Sequence, residues 1–349
     1  MTCASCPSSA SLCEPPAEPS VASCCLIALS RGLPPFAEPL VCADMRGPLS
    51  LFGEVSILPK PIGYWKNPGF STLEAFERQA LAGALLLCDS SSRVNAQECR
   101  LLPATLYLAG AVSSTFDVAW RLHALGQMPP WGGVLASCQR EGRGQVRRAW
   151  HSPLGNLFVT FRLPESPLFR TQAAAVLVGA ILAQGLCRLG YSAGMKWPND
   201  LLSLEGKKVG GILLEERGGV LMVGMGLNLM EAPPPAAMRA EHACPAGVLL
   251  PDDDEKHSLA APFPLWVDLV RECMDIFAAQ YAGATLEQAI ALAQEQLVWR
   301  SQPVELVEEG EGVVQGICLG LGPQGGVLVR TAAGEVCEHT CGQLRLRKG

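Results

Sequence analysis

KWPNDLLSLEGKKVGGILLE, residues 196–215, is the stretch that decides the fold of this chain. Its first five residues predict a rigid polar turn, and the apolar run after Lys208 predicts a buried strand. The paired glycines Gly210 and Gly211 would let a ligand approach the backbone closely. Because a buried ammonium without a partner is costly, we expect Lys208 to meet a bound carboxylate or phosphate.

A second segment, residues 139–157, concentrates arginine and glycine ahead of a strand predicted at residues 157–163. Its four arginines offer planar donors to phosphate or carboxylate, and its glycines let backbone amides turn toward the same anion. Trp150 adds a flat face for a ring. A basic loop by itself is usually solvated surface, whereas the two segments together indicate a site for an anionic ligand.

Motifs of both segments resemble those of the biotin protein ligases, in the family's order: Gly142-Arg143-Gly144, Trp150, Ser152-Pro153, Lys196 to Asp200, Lys208 to Leu213 and Gly224 to Asn228. The similarity extends over residues 105–349, about 70% of the chain. It implies an α+β fold, with helices packed on a mixed β-sheet as in the class II synthetases, followed by a small SH3-like β-barrel. The implied activity is ATP-dependent biotinylation of a lysine on a biotin carboxyl carrier protein.

The resemblance also implies a mechanism in two steps. The biotin carboxylate would attack the α-phosphate of ATP, with Mg²⁺ present, and give biotinyl-5'-adenylate. Lys208 would bridge the two anions while Arg143 and Arg148 steady the phosphates, so catalysis would be chiefly positioning and charge neutralisation. In the second step the acceptor lysine would attack the adenylate, and Asp200 would orient or deprotonate that amine.

Individual side chains receive binding roles through the same resemblance. The biotin-binding set is Ser114, Thr115, Gln139, Gly142, Arg143, Gly144, Lys208 and Gly210, and the ATP-binding set is Arg148, Trp150, Asn199, Lys208 and Asn228. No protein ligand is assigned to the metal. Several of these residues also have structural readings: Ser114 and Thr115 can cap a helix, Asn199 and Asn228 can satisfy backbone groups, and Gln139 can be an ordinary loop side chain.

The chain departs from the family pattern at three positions. Gln145 stands where the glycine-rich loop usually carries an arginine, and Arg147 stands where it carries a glycine. Phe116 replaces an asparagine that normally follows the Ser-Thr pair. Loss of a cation at Gln145 predicts a weaker hold on the adenylate, and Arg147 disfavours the positive φ that glycine allows.

Two other functions stay open at the level of sequence. One is a lipoate or octanoate ligase or transferase of the same superfamily, and the other is a non-catalytic biotin-binding homologue. The Lys-Trp-Pro-Asn-Asp turn and the C-terminal strands favour the biotin branch over the lipoate branch. An intact glycine-rich loop on another ligase of the same cell would favour the non-catalytic alternative.

We divide the chain into residues 1–45, expected to be poorly ordered, an accessory region at 46–100, a catalytic domain at 101–297 and an SH3-like domain at 298–349. Within these, the patterns predict a helix at 73–87, a strand at 105–112 with a helix after it to about 125, and helices at 172–189 and 265–282. Short strands are predicted at 304–307, 313–319, 326–330 and 344–346.

Composition is that of a soluble cytoplasmic enzyme. The net charge of -6 argues against a nucleic-acid partner, and apolar runs stop well short of the roughly 18 residues that span a bilayer. Fifteen cysteines form no disulfide framework, and no signal peptide is recognisable. Cys3 and Cys6 form a Cys-x-x-Cys pair that could bind zinc, although free thiols are the simpler reading. Nothing reads as a DNA-binding helix-turn-helix, and a homodimer remains open.

Overall fold

The computed structural model of the protein describes residues 25–29, 41–44, 104–234, 244–252, 262–308 and 312–347. In these residues the chain forms a large mixed β-sheet covered by helices and a smaller antiparallel sheet. This is the α+β architecture expected from the sequence. Throughout the described ranges, every helix is too short or too polar to cross a membrane.

The large sheet contains nine strands in the part of the chain that is described: β1 (Cys25–Leu29), β2 (Val41–Asp44), β3 (Leu106–Val112), β4 (Gly133–Gln139), β5 (Leu157–Arg162), β6 (Ala193–Lys196), β7 (Asp200–Ser203), β8 (Lys208–Arg217) and β9 (Val220–Leu227). Their order is β2-β1-β3-β4-β5-β9-β8-β7-β6. β3 runs parallel to β1 and to β4, and the other neighbours are antiparallel. Gly218 and Gly219 adopt positive φ of 58° and 80° in the tight turn from β8 to β9.

Four α-helices lie in the described residues: α1 (Thr115–Ala124), α2 (Ala174–Arg188), α3 (Pro262–Ile276) and α4 (Leu286–Glu295). α1 starts where the Ser114 hydroxyl accepts from the Phe116 backbone N–H, as the sequence predicted for this cap. A reciprocal capping box of Thr285 and Gln288 starts α4. α3 continues into one π-helical turn, Phe277–Tyr281.

The large sheet buries both of its faces. Successive residues of β4 point to opposite sides, so Val134 packs with Phe116 of α1 in one cluster while Leu135 packs in the other cluster with α2, α3 and α4. α2 is apolar on nearly all sides and is almost completely buried. This packing fixes the first turn of α1 and the ends of β7, β8 and β9, which carry the site.

The smaller sheet has the strands β10 (Pro303–Glu308), β11 (Gly312–Leu321), β12 (Val327–Thr331), β13 (Val336–His339) and β14 (Gln343–Leu346), in the order β13-β12-β11-β10-β14. Its turn between β11 and β12 meets the large domain, where the indole N–H of Trp197 donates to the Gly325 carbonyl at 3.1 Å. An ideal Cβ on Gly325 would lie 2.6 Å from the Ala173 Cβ, so only glycine allows this approach.

Most predicted elements are confirmed. β3, α1, β5, α2 and α3 with its π turn occupy the expected stretches, and β10, β11, β12 and β14 match the predicted C-terminal strands. β13 was not predicted, because a glycine-free strand of four residues among turns carries little pattern. β1 and β2 lie in the stretch that was expected to be poorly ordered, and most of that stretch lies outside the described residues. The helix predicted at 73–87 and the Cys3 and Cys6 pair lie outside the described residues.

Candidate active site

A cavity of about 800 Å³ opens between the large sheet, the edge of the small sheet and residues 142–150, which we call the glycine-rich loop. Most of the predicted site residues line it: Ser114, Thr115, Gln139, Arg143, Gly144, Arg148, Trp150, Asn199, Asp200, Lys208 and Asn228. The fold thus brings together residues that are more than a hundred positions apart in sequence.

Lys196, Asp200 and Lys208 form a compact charged group that we call the lysine–aspartate cluster. The Asp200 carboxylate pairs with Lys196 Nζ at 2.8 Å through one oxygen and with Lys208 Nζ at 2.5 Å through the other. Burial raises the pKa of Asp200, but the two ammonium groups outweigh it and lower this pKa to about 2. The aspartate is therefore an anion throughout the neutral range.

The cluster corrects the expectation that Lys208 needs an external anion. Asp200 already supplies a carboxylate, although two cations against one anion leave an excess positive charge. The side chain of Lys196 is 7% exposed and that of Lys208 is 29% exposed. Lys208 is accordingly the ammonium that a ligand can reach, while Lys196 is buried and neutralises Asp200.

The turn that carries Asp200 is held by its own residues. Asn199 exchanges two hydrogen bonds with Ile212 of β8, since its side-chain amide donates to the Ile212 carbonyl at 2.7 Å and its own carbonyl accepts from the Ile212 N–H at 2.9 Å. Trp197 is 1% exposed and packs in the core. The turn-building reading of Trp197 and Asn199 is thus what the contacts support.

The glycine-rich loop is a small hairpin. Gly142 accepts from the Trp150 N–H at 2.7 Å, Arg148 accepts from the Gly144 N–H at 2.8 Å, and Arg143 forms a bridge with Ala149. The residue at its tip with a positive φ is Val146, at 54°. The backbone strain that we expected at Arg147 therefore falls on Val146 instead. The exposed tip carries Gln145 and Val146.

Trp150 lies flat against the sheet. An ideal Cβ at Gly211 would come 2.9 Å from its ring, and one at Gly226 would come closer still, so both positions require glycine. Lys208 Nζ sits 5.3 Å from the ring centroid. The indole N–H is buried and finds no hydrogen-bond partner among the described residues. Trp150 therefore forms an aromatic wall beside Lys208.

Two glycines assigned to biotin do not line the cavity. A Cβ on Gly210 would lie 2.5 Å from a methyl of Leu227, which places that face of β8 against β9. A Cβ on Gly142 would lie 2.6 Å from the Ser152 hydroxyl, inside the base of the loop. Gly211 takes the cavity side instead, because neighbouring residues of a strand face opposite ways.

A polar group closes one end of the cavity. The Gln139 side-chain oxygen accepts from the Thr115 N–H at 2.9 Å, the Thr115 hydroxyl at 3.1 Å and the Ser114 hydroxyl at 3.4 Å. Its amide nitrogen donates to the Ser152 hydroxyl at 3.2 Å. Phe116 is 3% exposed beside this group and covers Gly224, where an ideal Cβ would clash with the ring. The Asn-to-Phe departure thus puts an apolar wall next to hydroxyl and amide groups.

Arg143 is committed to two carboxylates. One of its terminal nitrogens pairs with Asp117, and the other lies 3.3 Å from the Glu215 carboxylate. Burial lowers the pKa of Arg143, but the hydrogen bond to Asp117 and the charges of Asp117 and Glu215 outweigh it, so that this pKa is raised above its ordinary value. The guanidinium is therefore permanently charged and engaged within the protein.

Arg148 and Asn228 mark the rest of the cavity wall. With its amide oxygen turned toward the guanidinium, Gln343 of β14 accepts from Arg148 Nη1 at 2.8 Å. Arg148 Nε is buried and unpartnered among the described residues. Asn228 is 3% exposed and donates to the Gly247 carbonyl at 3.0 Å. Its side chain satisfies a backbone group, as the alternative reading of this residue proposed.

Comparison with known proteins now decides the family. A family model described as "Biotin/lipoate A/B protein ligase family" matches residues 108–229. Biotin--[acetyl-CoA-carboxylase] ligase of Paracoccus denitrificans is 32% identical over 217 residues, which cover 58% of this chain and 85% of that protein. The chain belongs to the biotin protein ligase family.

Other members of the biotin protein ligase family match over a smaller share of their length. "Bifunctional ligase/repressor BirA" of Bacillus spizizenii is 36% identical over 126 residues, 34% of this chain and 38% of that protein. The chain thus spans less than two thirds of the first relatives that it matches. The biotin protein ligase from Aquifex aeolicus solved with biotin and ATP has a TM-score of 0.55 and 23% identity, covering 70% of this chain and 99% of that one. This likeness shows the fold.

The cavity residues that sequence reasoning did not assign include Ser152, Lys196, Cys244 and Gln343. Lys196 could have been found, because it stands four positions before Asp200 in the same motif. Gln343 carries no local signal, since it arrives on a strand of the other sheet. In the part of the chain that is described, no group of three or more His, Cys, Asp or Glu side chains could hold a metal.

Proposed function

We propose that this protein is a biotin–[acetyl-CoA-carboxylase] ligase, which attaches biotin to a lysine of a biotin carboxyl carrier protein through biotinyl-5'-adenylate. The observation that carries the proposal is the placing of Lys208 between Asp200 and the Trp150 ring at the mouth of one cavity. Family membership and the name of the Paracoccus denitrificans relative support the same activity. Neither the lipoate alternative nor the non-catalytic alternative gains support from a specific contact.

In the first step a biotin carboxylate oxygen attacks the α-phosphorus of ATP, and the bond to pyrophosphate breaks. Two anions approach one another at that moment, so a fixed cation between them lowers the barrier. Lys208 is the accessible member of the lysine–aspartate cluster and supplies this cation. We assign Arg148, whose Nε lacks a partner among the described residues, to the phosphates. Magnesium enters with the ATP phosphates, as this ion usually does.

In the second step the neutral amine of the acceptor lysine attacks the carbonyl carbon of the adenylate, and AMP leaves. Asp200 was assigned either to orient or to deprotonate that amine. A carboxylate whose pKa is about 2 is a poor proton acceptor near neutral pH, and this supports the orienting role. Its main effect is to hold Lys208 in place through the ion pair.

The remaining binding roles are part of the same proposal. We assign the ring end of biotin to Ser114, Thr115 and Gln139, whose hydroxyl and amide groups line one end of the cavity. Trp150 packs near adenine, and Asn199 and Asn228 shape the ATP end through the backbone that they hold. Arg143 is already paired with two carboxylates, so we do not count it among the phosphate ligands.

The wider setting is also proposed. Residues 298–349 correspond to an SH3-like domain, for which the five-stranded antiparallel sheet gives support. We place the enzyme in the cytoplasm, with a carrier protein as its partner and with neither nucleic acid nor a membrane surface as a ligand. Repressor activity is named for the BirA relatives only and is not part of the proposal. A homodimer is the oligomeric state that we would test first.

The experiment uses purified full-length protein with ATP and magnesium, and with biotin or lipoate in parallel. Pyrophosphate release reports adenylate formation, and the mass of a biotin carboxyl carrier domain reports transfer. We expect both signals with biotin, and neither above background with lipoate. A carrier domain whose acceptor lysine is replaced by arginine is the control for the site of attachment. Turnover with lipoate alone, or binding of biotin without pyrophosphate release, would overturn the proposal in favour of one of the alternatives.

A further inference from the structure

Asp117, Arg143 and Glu215 form an ion-paired group at the base of the glycine-rich loop, and we call it the arginine clamp. Arg143 spans the gap between α1, which carries Asp117, and β8, which carries Glu215. The three side chains are 40%, 36% and 22% exposed, in that order along the chain. The clamp thus lies at the rim of the cavity, where water and salt can reach it.

The two carboxylates are held by the framework independently of Arg143. Glu215 Oε2 accepts from the indole N–H of Trp120 at 2.9 Å and from Arg217 at 3.0 Å, and Arg217 in turn lies 4.6 Å from the Trp120 ring centroid. Asp117 Oδ2 accepts from the Ser113 hydroxyl at 2.8 Å. Other side chains therefore hold both carboxylates in the positions at which Arg143 pairs with them.

Holding Arg143 holds the whole loop. Arg143 is bridged to Ala149, and the neighbouring bonds from the Gly144 N–H to Arg148 and from the Trp150 N–H to Gly142 close the hairpin. The clamp is consequently joined through three backbone contacts to the ring that walls the cavity. Gln145, at the loop tip, is neutral, so it offers no charge through which an anionic ligand could attract the loop.

We propose that Asp117 and Glu215 are positioning residues that seat the glycine-rich loop over the cavity before any ligand binds, and that Arg143 is a strut of the loop rather than a phosphate ligand. The choice of ATP as the ligand whose binding reports this role rests on the proposed function. The competing view is that Arg143 binds phosphate and that the carboxylates restrain it. When the carboxylates are neutralised, the first view predicts a rise in the KM for ATP and the second predicts a fall.

Amide hydrogen exchange of the full-length protein without ligand tests the seating directly. The variants are Asp117→Asn, Glu215→Gln and the double variant. Glu216→Gln is the matched control, since it removes the same charge from the next residue of β8 and its carboxylate accepts from the Gly219 N–H. Each single variant should speed exchange in residues 142–150 by about 2- to 5-fold, and the double variant by about 10-fold, the range expected for exposed ion pairs. β9 serves as the internal reference.

Steady-state kinetics supplies the second readout. If Arg143 is a strut, the KM for ATP should rise by about 2- to 5-fold in each single variant while kcat changes by less than about twofold, because the chemistry at Lys208 is untouched. Arg143→Lys should resemble the double variant, because a single ammonium cannot span both carboxylates as the guanidinium fork does. A fall in the KM for ATP would show that the carboxylates compete with phosphate and would overturn the proposal.

Three results thus decide the matter. Faster exchange confined to residues 142–150 supports the clamp, whereas exchange no faster than in Glu216→Gln, or an equal rise in β9, overturns it. Exchange needs no turnover, so a protein without ligase activity would refute the proposed function and still report on the clamp. In the wild type, about 0.5 M salt should also speed exchange in the loop, and the double variant should lose this response because its ion pairs are gone.

Discussion

The lysine–aspartate cluster and the glycine-rich loop both line the cavity, and they place charge in opposite ways. In the cluster, Lys196 is 6% exposed and the side chain of its partner Asp200 is 13% exposed. In the loop, Val146 is 67% exposed and the ion pairs of Arg143 lie at the rim. Buried pairs cannot be broken without leaving an unpaired charge, whereas rim pairs exchange readily with water. The lysine–aspartate cluster is therefore the rigid part of the site, and the glycine-rich loop is the part that can move.

The largest effect should come from removing the reactive cation. Lys208→Ala should slow adenylate formation by about 10²- to 10³-fold, which is typical for loss of one preorganised electrostatic group. The fold should survive, because Lys196 remains to balance Asp200. Pyrophosphate release measures the rate, and circular dichroism checks the fold. Lys207→Ala is the control, since that exposed side chain pairs with Glu205 outside the cavity. Wild-type pyrophosphate release in Lys208→Ala would contradict the assignment.

Asp200→Asn tests the buried ion pairs of the lysine–aspartate cluster by removing the charge of their carboxylate. Two ammonium groups would then face a neutral amide, at a cost of about 3 kcal/mol in the free energy of unfolding. Because the folded-state pKa of Asp200 is about 2, below the ordinary value of 3.8, its contribution is fully present above about pH 4 and is lost as the pH falls toward 2. Urea unfolding at pH 6 and at pH 2.5 measures this. An equal gap between wild type and variant at both pH values would contradict the ion-pair account.

Gln145→Arg tests the loop side of the comparison. A guanidinium at the exposed tip should slow escape of the adenylate by roughly 5- to 30-fold, because a charge-assisted hydrogen bond contributes about 1 to 2 kcal/mol. Trapping of released adenylate by a non-specific amine acceptor measures the leak. Gln145→Lys is the control for charge without the planar fork. Equal leakage from wild type and Gln145→Arg would mean that the tip does not reach the adenylate.

The smallest effect is expected where the two sheets meet. Trp197→Phe keeps an aromatic ring in the core but removes the N–H that donates to the Gly325 carbonyl. We expect a loss of about 1 kcal/mol in stability, because the carbonyl is left without its donor. Thermal unfolding measures the loss, and the rate of adenylate formation shows whether it reaches the cluster. A variant as stable as the wild type would show that this bond does not join the sheets.

The sequence could predict those parts of the site that are built locally. Lys208 and Asp200 stand in one stretch of twenty residues whose turn and strand follow from its pattern, and Ser114 begins α1 by ordinary capping. The pairing of Lys196 with Asp200 also follows from a short spacing. These features depend on neighbours along the chain, and one sequence is enough to reveal them.

Other parts depend on strand register and could not be read in this way. Gly210 and Gly211 stand side by side in one motif, and the resemblance implied a binding role for Gly210. Because a shift of one residue in a strand reverses the face, the motif alone does not show which of the two faces the cavity. The pairing of β7 with β8 contains an irregularity between Leu201 and Leu202, which pattern alone does not reveal. Gln343 and the carboxylate partners of Arg143 arrive from distant elements, and only the assembled fold brings them to the site.

The hydrogen bond from Trp197 to Gly325 has a consequence for how the protein is made. It joins positions 128 residues apart, so the turn that carries the lysine–aspartate cluster is not fully anchored when it leaves the ribosome. At translation rates of about 5 to 20 residues per second, the later strand follows after roughly 6 to 26 seconds. During that interval the nascent turn has an indole without its partner. The order of synthesis thus delays the completed active site until the second sheet has been translated.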